Sequence, residues 1–213
     1  HTITPLRIKY IKKNIKTSFK NNQKRKNYFK NLEILDLGCG GGLVCEPLSR
    51  LQAKVTGIDF VNKNIKIAKQ HAKKSSLKIN YIKQDLSSLN LNQKYDLILL
   101  LEVIEHLDNW KNIVSYCLKH LKPGGRIIFS TINRTLFSKF FAIYITEKLL
   151  KWVPRNTHTY NKLVKPEELK NFLENKKMKI IDITGLFFNP ITQHWSLNKK
   201  KTKINYFCTA EKI

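Results

Sequence analysis

The chain has 213 residues, of which 42% are hydrophobic, enough for one α/β domain with a buried core and too many for a disordered tail. Its 40 basic residues face 15 acidic ones, a formal net charge of +25, which points to an anionic partner such as nucleic acid or a membrane surface. Only six of the basic residues are Arg, the better phosphate reader, so the scattered Lys reads as compositional drift with membrane attraction as a by-product.

Residues 5–20 alternate Lys with Leu6, Ile8, Tyr10, Ile11, Ile15 and Phe19, predicting a basic helix that leads into the domain, followed by a polar loop over 21–30. Strands are then expected near 33–37, 54–58, 78–83, 95–101 and 125–130, with helices near 43–51, 62–74 and 109–121, an alternation that indicates a mostly parallel sheet. Lys122-Pro123-Gly124-Gly125 reads as a turn before the fifth strand. After Ser130-Thr131-Ile132-Asn133-Arg134 the rhythm breaks into an insertion, 133–165, rich in Phe, Leu and Lys. It resumes at Pro166-Glu167-Glu168-Leu169, an acid-led helix start. Strands near 177–184 and 204–210, joined by a loop with Gly185, Asn189 and Pro190, place one antiparallel strand in the sheet. The expected organisation is a single domain over 1–213: a helical lead-in (1–30), a core (31–132), the insertion, and a closing helix with a strand pair (166–213). Four cysteines without a C-x-x-C pair read as reduced cytosolic thiols. No signal peptide or apolar run of about 20 residues is present. The chain starts on His1 rather than Met, so a preceding segment is expected.

The run Leu35-Asp36-Leu37-Gly38-Cys39-Gly40-Gly41-Gly42 is strand, glycine turn and helix start, the arrangement that offers bare backbone to a nucleotide-like ligand at the carboxyl edge of a sheet. Gly57-Ile58-Asp59 ends the next apolar strand about 20 residues later, where an acid can take ribose hydroxyls. A helix N-cap is the plain alternative for Asp59.

With Tyr95-Asp96-Leu97-Ile98-Leu99-Leu100-Leu101-Glu102 and the Lys-Pro-Gly-Gly turn, this ordered set resembles the Rossmann-like S-adenosylmethionine-dependent methyltransferases. Thr4-Pro5-Leu6-Arg7, Ser130–Arg134, Val153-Pro154-Arg155-Asn156-Thr157-His158, Ile183-Thr184-Gly185-Leu186 and Asn189-Pro190-Ile191-Thr192 extend the resemblance to the ubiquinone-biosynthesis O-methyltransferases over nearly the whole chain. The resemblance implies a Rossmann-like three-layer α/β sandwich, a seven-stranded sheet with one antiparallel strand, and methyl transfer to phenolic oxygens of polyprenylated ring intermediates. It implies that Arg7, Gly38, Asp59 and Leu101 line the cofactor site. Partners would be the polyprenylated phenol or quinol, an anionic membrane surface and other quinone-biosynthesis proteins, with no nucleic acid. The location would be cytoplasmic, at the periphery of the inner membrane.

Within that frame Gly38, Gly40 and Gly42 let backbone approach the cofactor, and Asp36 receives its ammonium. Asp85 meets the adenine amino group or else caps a turn. Glu102, Glu105 and His106 share a face if a helical turn forms, as ligands for a divalent cation such as magnesium or in a structural or base role. His158 is either the general base or a surface histidine. The stretch Leu136–Ile145 with Leu149–Val153 suits either an interfacial membrane helix or a lid. Two rival functions are a nucleic-acid methyltransferase, which lacks its Asn/Asp-Pro-Pro-aromatic signature here, and a non-catalytic cofactor-binding scaffold.

Overall fold

The computed structural model describes residues 2–18, 27–135, 138, 160–189 and 192–213. In chain order the elements are α1 (Thr4–Ser18), β1 (Glu33–Leu37), α2 (Cys45–Arg50), β2 (Lys54–Asp59), α3 (Asn62–Lys74), β3 (Ile79–Lys83), β4 (Tyr95–Leu101), α4 (Trp110–Lys119), β5 (Leu121–Ile132), α5 (Pro166–Asn175), β6 (Met178–Asn189), β7 (His194–Asn198) and β8 (Asn205–Lys212). They build one sheet in the order β3-β2-β1-β4-β5-β8-β6-β7. The strands β1 to β5 are mutually parallel, and β8 runs antiparallel between β5 and β6. Chain order reverses beside β1, which lies between β2 and β4. In open α/β sheets this is where a ligand crevice forms, outside the carboxyl strand ends.

Central strands buried on both faces need continuous apolar runs, and Leu97 to Leu101 in β4 supplies one that is almost wholly buried. Edge strands alternate instead, as β7 does. One face of the sheet is covered by α1, α2 and α3 through Tyr10, Ile11, Leu48, Ile65 and Ala68. The other is covered by α4 and α5 through Val114, Cys117, Leu169 and Leu173. Tyr10 anchors α1, stacking on Phe207 at 4.5 Å and accepting a hydrogen bond from Thr209 Oγ1 at 3.0 Å. In α5, Pro166 occupies the first turn, where its missing N–H costs nothing, and Glu168 reaches back to the Lys165 amide.

Two local expectations change. Residues 122–125 are not a turn ahead of the fifth strand but a bulge within β5: Tyr95 pairs with Leu121, and Leu97 with Arg126. Gly124, with φ 69°, makes the bend. The sheet also has an eighth strand. Gly185 lies inside β6 rather than in a loop, and β7 pairs alongside it. The glycine is needed because the 199–204 connection crosses over that point, and a Cβ at Gly185 would collide with the Lys201 carbonyl.

Candidate active site

The carboxyl ends of β1, β2 and β4 gather the residues singled out by the sequence. Gly38, Gly40 and Gly42 have φ of 71°, 54° and 85°, a region that L-residues with a side chain avoid. A Cβ at Gly38 would sit 2.6 Å from Val103, and one at Gly42 would strike the Tyr81 hydroxyl, whereas one at Gly40 meets nothing within 4 Å. The loop is therefore packed from below and open above. Amides of Gly38 and Cys39 donate to Ile58 O at 2.8 and 3.0 Å. The Asp59 carboxylate accepts from Gly40 N at 2.9 Å, Val61 N at 2.8 Å and Asn64 Nδ2 at 3.3 Å. Asp59 thus ties the glycine loop to the start of α3. Phe60 follows it with 66% of its surface exposed, a large apolar ring held at the rim.

Asp36 is buried and accepts a hydrogen bond from the Cys45 thiol at 3.2 Å. Burial pushes its carboxyl up to about 6, against the opposing effect of that thiol and of the nearby Arg7 cation. Arg7 projects from α1 toward both Asp36 and Glu102, 3.8 Å from Glu102 Oε1, and its buried Nε has no hydrogen-bond acceptor. An unpaired guanidinium N–H beside a buried carboxylate is a site prepared for a ligand that brings both a carboxylate and an ammonium. An amino-acid headgroup such as that of S-adenosylmethionine fits this pair.

Glu102 follows β4 with φ 58°, a conformation that costs a non-glycine residue about 1 kcal/mol or more. Its carboxylate is held in place by Ser130 Oγ at 2.7 Å and by Asn205 Nδ2 at 3.3 and 3.4 Å. Leu101, just before it, is buried against Ser130 in the β4–β5 register. Glu105 is 2% exposed and neither oxygen has a hydrogen-bond partner. Burial, with the Glu102 charge beside it, pushes its carboxyl up to about 8.

The expected metal triplet is not assembled. Glu102, Glu105 and His106 do follow one another into a short 3-10 turn, Ile104–His106, but that turn buries Glu105 and exposes His106. Among the described residues no three His, Cys, Asp or Glu side chains come together as metal ligands. Asp85 is exposed and caps the turn Leu86–Ser88, accepting from Ser87 N and Oγ at 2.8 Å, which holds its carboxyl below the usual range. Asn133 and Arg134 tie the end of β5 to its neighbours: Asn133 Nδ2 donates to Thr202 O, and Arg134 pairs with Glu168. His158 and the apolar stretch 136–159, Ser138 apart, lie outside the described residues.

Ser130, Asn205 and Phe60 were not singled out by sequence reasoning. Phe60 carried a usable signal, an aromatic residue directly after a strand-ending acid. Asn205 carried none, because it reaches Glu102 from 103 positions away through the antiparallel insertion of β8.

Fold and site are those of a Rossmann-like methyltransferase, and a model of the methyltransferase domain matches residues 6–181. The chain is 38% identical over its full length to the ubiquinone biosynthesis O-methyltransferase of Sinorhizobium medicae, covering 86% of that protein. It is 40% identical to that of Chelativorans sp., again over all of this chain and over 84% of the relative. Magnesium protoporphyrin IX methyltransferase from Synechocystis, solved with bound S-adenosylhomocysteine, superposes with a TM-score of 0.66 at 19% identity, over 96% of this chain and 83% of its own. The chain belongs to the ubiquinone biosynthesis O-methyltransferase family. It is an S-adenosylmethionine-dependent O-methyltransferase.

Proposed function

We propose that this enzyme methylates a phenolic hydroxyl of a polyprenylated quinone precursor at the surface of an anionic membrane. The observation that carries the reading is Arg7: α1 delivers a buried, unpartnered guanidinium N–H to the mouth of an open glycine loop. When bound, S-adenosylmethionine supplies an electrophilic methyl group for in-line displacement. Arg7 then takes its carboxylate and Asp36 its ammonium. Gly38, Gly40 and Gly42 pass backbone close to its chain, Asp59 accepts from the ribose hydroxyls, and Phe60 and Leu101 form apolar walls. Asp85 stands at the adenine side.

Glu102 receives the phenolic proton, because Ser130 and Asn205 fix its carboxylate in place. His106, exposed on the turn that follows, exchanges protons with solvent. His158 remains the alternative base. Since Glu102, Glu105 and His106 do not converge, the proposed steps run through the side chains alone. Membrane association draws on the +25 charge; among the described residues no helix is long and apolar enough to cross a bilayer.

The test is incubation of the protein with S-adenosylmethionine and a short-chain demethylated quinol, with the product read by mass spectrometry. An O-methylated product is expected, reduced at least tenfold in kcat by Glu102→Gln. Cofactor binding without any methylated quinol overturns the substrate assignment.

A further inference from the structure

Asp36 is only 3% exposed, and the donor beneath its carboxylate is a sulfur. Cys45 opens α2 just after the glycine loop, is fully buried, and donates from Sγ to Asp36 Oδ2 at 3.2 Å. Two further side chains adjoin this thiol. Cys39, in the loop itself, lies next to it. Tyr81 approaches from β3 with a buried hydroxyl that has no hydrogen-bond partner. Tyr81 is 3% exposed, and its hydroxyl is the group that a Cβ on Gly42 would strike. Cys39, Cys45 and Tyr81 thus form a neutral polar floor under the loop.

The charged groups around Asp36 come from several elements. Burial disfavours its ionised form, the Cys45 thiol and Arg7 on α1 favour it, and Asp59 at the end of β2 opposes it. Glu102, after β4, lies on the far side of Arg7, 3.8 Å from it. Glu46, next to Cys45 in the chain, is turned to Arg50 and His71. Contact with Cys39, burial and the Asp36 charge hold the Cys45 thiol well above its ordinary range. Cys45 therefore stays a neutral S–H donor while Asp36 titrates.

We infer that Cys45 is a positioning residue for the cofactor: its thiol fixes Asp36 Oδ2 from below and leaves Oδ1 to take the ammonium. A neutral donor suits that task. A buried carboxylate needs a hydrogen bond to remain charged, but a lysine or arginine in place of Cys45 would pair with it fully and cancel its attraction for the ligand. The S–H group is a weak donor that supports the charge without neutralising it. The inference rests on Asp36 as the ammonium acceptor and goes beyond it by naming what holds that carboxylate in place.

The experiment is calorimetric titration of S-adenosylmethionine, from mild acid to mild alkali, into wild type, Cys45→Ala, Cys45→Ser and Asp36→Asn, each checked for fold by circular dichroism. Comparison at each pH cancels titration of the cofactor's own groups. In Cys45→Ala the midpoint at which affinity fades is expected to rise by about one pH unit. Its binding then equals wild type in mild alkali, is about twofold weaker at neutrality and approaches roughly tenfold weaker in acid. Cys45→Ser restores wild-type behaviour, because a hydroxyl donates from the same position; a side chain that only fills space would not distinguish the two. An unshifted midpoint in Cys45→Ala overturns the inference, as does uniform weakening of both Cys45 variants at every pH. Asp36→Asn separates the two claims. If it loses the pH dependence while Cys45→Ala is unshifted, the thiol's role alone is refuted. If it keeps the wild-type dependence, the ammonium assignment fails and the inference with it. Independently of binding, the infrared S–H stretch that disappears in Cys45→Ser is expected to move as Asp36 titrates and to stay fixed in Asp36→Asn. A band indifferent to Asp36 overturns the inference even where Cys45→Ala does not fold.

Discussion

The cofactor half of the site and the acceptor half are built by different means. Asp36 and the Gly38–Gly42 loop lie at the end of β1 and Asp59 ends β2, and the parallel pairing of these strands brings their ends together. Local sequence therefore sets local geometry. Around Glu102 the chain returns from far away: Ser130 from β5, Asn205 from β8 and Arg7 from α1 converge on one carboxylate held at a left-handed φ. The first half tolerates no added atoms at Gly38 or Gly42, and the second depends on distant polar groups staying in register.

The largest effect is expected in the cofactor half. Gly42→Ala must adopt φ 85° and displace Tyr81, a loss of about 2–4 kcal/mol in stability. Denaturant titration should find it, with S-adenosylmethionine binding lost as well. Gly40→Ala, with the same backbone sign but open space, should cost about 1–2 kcal/mol; equal losses would erase the distinction between packed and open sides of the loop.

The acceptor half should respond in rate rather than in fold. Asn205→Ala removes a hydrogen bond to a charged group, worth about 1.5–3 kcal/mol, so kcat should fall about tenfold or more while S-adenosylmethionine affinity changes little. Restoration by Asn205→Gln would mark positioning rather than packing. An unchanged kcat would mean that Glu102 does not work at this position.

A smaller effect is a pH dependence. Asp36 has its carboxyl raised to about 6, so above that pH it is charged and attracts the cofactor ammonium; as pH falls through about 6 it is neutralised and the attraction fades. Calorimetry should show affinity flat above neutrality and weakening toward pH 5, and Asp36→Asn should bind more weakly and lose that slope.

The smallest concerns stability alone. Glu105 is raised to about 8, so the fold prefers its protonated form. That preference is fully present below the unfolded carboxyl pKa of about 4.3 and is lost as pH rises to about 8. Glu105→Gln should match wild type in acid and gain in Tm relative to it up to mildly alkaline pH. A constant difference across pH would mean that the carboxyl is ionised throughout.

The same contrast governs what could be read from the sequence. Strand β4 announces itself as an apolar run, α3 spans Asn62–Lys74 as its periodicity predicts, and the glycine loop and Asp59 lie where spacing puts them. Periodicity carries such information because burial repeats along one element. The bulge at 122–125 was misread because Pro and Gly mark a bend without saying whether the ladder resumes beyond it. Strand β7 was missed because an edge strand of His194, Trp195, Ser196, Leu197 and Asn198 buries too little to stand out. The divergence of Glu105 and His106 has a related reason: spacings of three and four place side chains together on an α-helix, but a 3-10 turn directs Glu105 inward and His106 outward. Asn205 has no local signature at all.

The central claim is that an arginine on α1 completes the cofactor site, and calorimetric titration of S-adenosylmethionine into wild type and Arg7→Met tests it most directly. Loss of one charge-assisted contact of about 1.5–3 kcal/mol predicts affinity weaker by roughly tenfold to a hundredfold, with Tm within a few degrees of wild type. Equal affinity in the two proteins would contradict the account.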